Sequence, residues 1–174
     1  YFSDEEKTKL KDYNLLLNEA LHKIDETSSS WLKLRYFYLA LRLAHYKKHN
    51  PLKIYEKYKY LLENNTQTVV KDWILGLYAG ALVKNGETVK GVYEFSRLFS
   101  EDKINSHLSY YNFFHIKTNE QWNELLNLAK SNEEKTKFYA LRALNENSNV
   151  LEELQNIYTL DKNSKWFEFV LFRE

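Results

Sequence analysis

Residues 78–102 read YAGALVKNGETVKGVYEFSRLFSED, and this stretch decides the fold class. Its first part closes a helix running from about Thr68 to Asn85, and its second part forms another covering roughly Glu87 to Phe99. Between them Gly86 supplies the left-handed residue that ends helices, because a residue without Cβ takes positive φ without a clash. No strand-like alternation competes with this reading.

Cap signals punctuate the chain on both sides of that stretch. Ser3 with Glu6 makes a capping box, the hydroxyl accepting from the third helical amide while the carboxylate reaches back to the cap amide. The helix it opens runs to about Glu26 with Leu10, Tyr13, Leu17, Ala20, Leu21 and Ile24 on one stripe. The run Thr27 to Ser30 breaks it, and a second helix follows to about Lys48. Asn50 and Pro51 read as a cap with proline in the first turn, opening a helix through Leu62. Beyond Phe99 come HLSYYNFFH, a box of Thr118 with Gln121, a third box of Ser131 with Glu134, the NENSN break, VLEELQNIYTL, and a last helix from about Ser164. Nine or ten antiparallel helices result, and the fold class is all-α.

Composition agrees. One proline and four glycines in 174 residues disfavour sandwiches, barrels and disordered linkers. The length suits one domain, residues 1–174, and a chain of this size buries roughly 70% of its unfolded surface, enough for a core without metal or disulfide staples. With no cysteine, thiolate metal sites and a cysteine nucleophile are excluded. The basic block, residues 31–62, carries 8 basic side chains against 1 acidic, interleaved with leucines and tyrosines at helical spacing. That pattern reads as a solvated helix face and not as a nucleic-acid surface.

Turns near Asn50, Gly86, Asn119 and Asn147 lie 36, 33 and 28 residues apart, a degenerate repeat. Helix pairs of this length cannot bury both faces alone, so they stack into an α-solenoid with a concave surface. The 78–102 stretch resembles a tetratricopeptide unit, with Ala79 and Gly91 at its small positions and Phe95 and Leu98 at its packing positions. NVLEELQNIYTLDKNS resembles the end of a second one, although no proline follows Asp102 or Asp161. The resemblance implies a close approach of the helices at Ala79 and Gly91.

LRYFYLALRLAHYKKHNPLKIYEKY, SNEEKTKFYALRAL and LEELQNIYTLDKNSKWFEFVLFRE also resemble the large exported helical-repeat proteins of Bacteroidota-type bacteria. That likeness implies a periplasmic or outer-surface location and carries over no catalytic residue. The first residue is Tyr1 and the final segment is strongly apolar, so the chain reads as a piece of a longer one, with Trp166, Phe167, Phe169, Val170 and Phe172 awaiting cover. No leader or 18-residue apolar run is present, and any membrane association is expected only through flanking segments.

No phosphate loop, nucleophile elbow or framed carboxylate pair occurs, so the chain reads as no enzyme and needs no cofactor. Glu133 with Glu134 and Glu152 with Glu153 read as first-turn acids favoured by the helix dipole. His45 and His49 have the spacing of a zinc pair, but Tyr46, Lys47 and Lys48 between them oppose a cation, and the helix C-terminus accounts for both histidines. The second helix is apolar around nearly its whole circumference and is expected to be mostly buried. Its remaining stripe is Arg35, Tyr38, Arg42, His45 and His49. On the concave side of a solenoid this stripe would bind a protein or peptide, arginine gripping carboxylates and tyrosine giving contact area. Pairing of Arg35 and Arg42 with glutamates of neighbouring helices remains the other reading, and further repeats of the same chain are the other partner. Fourteen tyrosines and ten phenylalanines leave a glycan-binding helical module as the second functional reading, although most of these rings fall on apolar stripes.

Overall fold

A computed structural model describes residues 4–46, 49–63, 68–99 and 106–172, with the side chains of 4–11, 106 and 108 outside the description. Among the described residues it is all-α with no strand. The ten helices are α1 (Asp4–Glu26), α2 (Ser30–Tyr46), α3 (Pro51–Tyr58), α4 (Val69–Lys84), α5 (Thr88–Ser96), α6 (Ser106–Phe113), α7 (Asn119–Leu128), α8 (Asn132–Ala143), α9 (Val150–Leu160) and α10 (Lys165–Leu171). They pack against their neighbours in two compact units, Tyr1–Leu82 and Val83–Glu174.

The caps explain where helices start. Asn50 accepts from the Lys53 amide at 3.2 Å with Pro51 next in line. Thr118 and Gln121 form both halves of a capping box. Ser131 makes only the first half, since Glu134 bonds the Lys130 amide at 2.7 Å, one residue ahead of the cap, and also accepts from the Tyr93 hydroxyl. Gly86 has φ +87° and is the sole positive-φ glycine among the described residues. The Ser3 cap lies outside them. The helix from Pro51 tightens into a 3-10 turn over Lys59–Leu62, and the Lys71 ammonium closes it by donating to the Leu62 carbonyl at 2.8 Å.

In the first unit α1 and α2 form a hairpin over the three residues 27–29. Leu17, Ala20 and Ile24 meet Leu34, Phe37 and Leu41, and Tyr55, Tyr58, Leu61, Val70 and Ile74 complete this core. Tyr55 and Tyr78 stack with centroids 3.6 Å apart and planes 6° from parallel. On α1, Tyr13 is exposed although the stripe placed it inward. On α2 the expectation of near-complete burial fails. Leu34, Phe37, Ala40, Leu41 and Ala44 are buried, but Trp31 and Leu39 are 53% and 40% exposed, because neighbours cover only one side of this helix.

In the second unit α5 packs against both α6 and α7, whereas the turn spacing had paired α6 with α7; α8 packs against α9 and α10. The buried Ser109 hydroxyl donates to the Phe95 carbonyl, fixing α6 on α5. Ala79 in the first unit and Gly91 in the second are each buried. The final apolar segment divides: Trp166 and Val170 are buried with Phe99 and Phe169 against them, whereas Phe172 is 88% exposed.

Candidate functional site

Of the five stripe residues, Arg35, Tyr38 and Arg42 lie on α2 in two local groups, Arg35 with Trp31 and Arg42 with Tyr38. Arg35 and Arg42 are both exposed and lie seven residues apart, two helical turns or about 10.5 Å along the axis. The Arg35 guanidinium rests over the Trp31 ring, 4.8 Å from its centroid. Arg42 donates to the Tyr38 hydroxyl at 3.5 Å, and the Tyr38 ring leans on Trp73 of α4 at 5.3 Å. Trp31 and Trp73 therefore help build the site, and the sequence reading had left both out. The i, i+4 spacing of Trp31 and Arg35 was visible in the chain; the neighbourhood of Trp73, more than thirty residues away, was not.

Stacking under a guanidinium leaves its in-plane N–H donors free for a carboxylate. Among the described residues neither Arg35 nor Arg42 meets a glutamate or aspartate, so the internal pairing weighed above does not occur there. Both side chains are held in place and keep unspent donors toward solvent.

The other two stripe residues part company. His45 is half-buried at the end of α2 with its ring edge-on to Tyr46 at 5.4 Å. His49 lies beyond the described end of α2, and its Nε2 is 2.7 Å from Asn14 Oδ1. His49 therefore stands outside α2 as described, whereas His45 belongs to it. His49 instead lines a cleft of about 460 Å³ with Asn14, Asn18, Asn50 and Lys53 around an aliphatic floor of Leu17, Leu21 and Ile54. Among the described residues no three His, Asp or Glu side chains gather as metal ligands, and no helix is long and apolar enough to cross a membrane.

A second polar constellation, missed from sequence, lies in the other unit. Arg142 of α8 grips Glu153 of α9 through Nε to Oε1 at 2.7 Å and Nη2 to Oε2 at 2.9 Å. Its guanidinium carbon sits 3.8 Å from the centroid of Trp122 and 5.3 Å from that of Tyr139. Glu153 is 4% exposed, and burial pushes its carboxyl above the ordinary range against the pull of Arg142. This arrangement ties α8 to α9 and spends one fork of the Arg142 guanidinium on a carboxylate of the chain itself. The α2 face is the candidate that faces outward. No family model, curated protein or solved structure matches the chain.

Proposed function

We propose that this chain is a non-catalytic helical-repeat scaffold, its helix pairs stacked as a tetratricopeptide-like α-solenoid, that binds a protein or peptide through the α2 face carrying Arg35, Tyr38, Arg42 and His45. The observation that carries the reading is the pair of exposed, ring- and hydroxyl-supported guanidiniums that meet no carboxylate among the described residues. Arginine fixed in advance loses little freedom on gripping a carboxylate, which suits it to an anchor role. Packing of successive helices against one another, α1 on α2 and α8 on α9, supports the repeat arrangement. Membership of an exported bacterial assembly, in the periplasm or at the outer surface, rests on the resemblance of the helical segments alone.

A protein partner is preferred to a glycan because, among the described residues, the exposed rings are spread along the chain: Tyr13 in α1, Trp31 and Tyr46 at opposite ends of α2, Tyr60 in the 3-10 turn, Tyr111 in α6, Tyr158 in α9 and Phe172 after α10. A sugar would need several of them in one plane. Selection of a displayed random-peptide library on the chain tests the reading. Enriched peptides are expected to lose binding to the Arg35→Glu/Arg42→Glu variant. Enrichment only of peptides indifferent to that variant, or of none, overturns it.

A further inference from the structure

The exposed side of α2 carries more than two arginines. Leu32, Arg35, Leu39, Arg42 and Tyr46 follow one another at steps of three, four, three and four residues, the spacing of a coiled-coil seam. Leu32, Leu39 and Tyr46 are exposed at 37%, 40% and 68%, so an apolar residue recurs every seventh position with an arginine between. A mixed seam of this kind is costly to leave in water unless something docks there, and its period matches a helix.

The charge says which helix. Residues 31–62 hold 8 basic side chains against 1 acidic, and both seam arginines lack a carboxylate among the described residues. A second copy of this chain is disfavoured, because a symmetric pairing centred on Leu39 sets arginine against arginine. Resting on the protein-binding reading of the α2 face, we infer that its partner is an acidic amphipathic helix. That helix carries Asp or Glu seven residues apart to meet Arg35 and Arg42, and apolar side chains between them to pack on Leu32, Leu39 and Tyr46. Trp31 and Tyr38 act as positioning residues, one beneath Arg35 and the other holding Arg42.

Three fluorescent peptides of about three heptads test this by anisotropy with the full chain: one with glutamates and leucines in the seam register, its lysine counterpart, and a scramble of the first with equal charge. The glutamate helix is expected to bind at least about ten-fold tighter than the scramble, and Arg35→Glu/Arg42→Glu is expected to move the preference to the lysine helix. Tyr38→Phe should weaken glutamate-helix binding by a few-fold without changing helix content by circular dichroism. Equal binding of the scramble, abolished by the double variant, overturns the helical partner while leaving the α2 face a protein-binding one. Binding indifferent to the double variant overturns both, and no binding of the glutamate helix overturns the inference.

Discussion

The Arg142 guanidinium holds the Glu153 carboxylate by two parallel bonds of 2.7 and 2.9 Å, yet the carboxyl stands above its ordinary range because burial outweighs the pairing. A carboxyl raised on folding binds more protons folded than unfolded, so this site adds stability as pH falls and loses it as pH rises through the folded value. Relative to Glu153→Gln, the natural chain is expected to gain stability between neutral pH and about the ordinary value of 4.5. Urea unfolding at a series of pH values reads the slope; a loss on acidification would mean that Arg142 dominates.

Arg142→Ala leaves Glu153 buried without its partner and is expected to cost about 3 kcal/mol. Arg142 is itself 32% exposed, which keeps the value toward the low end. Replacing both residues by methionine should come closer to neutral, and a double-mutant cycle by chemical denaturation measures the coupling.

At Gly86, φ is +87° and an added Cβ would meet nothing within 4 Å. The cost of Gly86→Ala is therefore conformational alone, about 1 kcal/mol, and Gly86→Asn should cost less because asparagine tolerates the left-handed region. Thermal melts of the two variants give the order.

Thr118→Ala removes the hydroxyl that caps α7 and should lower stability by about 1 kcal/mol. Thr118→Ser keeps the bond and should restore most of the loss, as denaturant midpoints would show.

Gly91 is buried in α5, so Gly91→Leu should overpack its surroundings at a cost of about 1 to 3 kcal/mol. An unchanged melting temperature would place that position where a side chain is free to escape.

Helix boundaries were legible wherever the signal was local. Asn50 with Pro51, Gly86, Thr118 with Gln121 and Ser131 each act within four residues, so the chain itself carries the physics. The open side of α2 was not legible, because leucines on every side point to no single face, and only the placement of α1, α3 and α4 chooses one. The same reason hid Trp73 from the candidate site. Glu153 does stand in the first turn of α9 as read, but its burial against Arg142 was not foreseen, although its position beside Val150, Leu154 and Ile157 on one stripe was a signal available in the sequence. Arg35, Tyr38 and Arg42 were found together because helical spacing alone sets them on one face; His49 was lost from the set because it falls past the described end of α2.

The burial of the rings has an optical consequence. Each unit holds two of the four tryptophans: Trp31 and Trp73 in the first, where water reaches both, and Trp122 and Trp166 in the second, at 9% and 3% exposure. A collisional quencher dissolved in water darkens the first pair more than the second as long as the chain is folded. Unlabelled protein thus separates the emission of its two units by their access to water in a single cuvette.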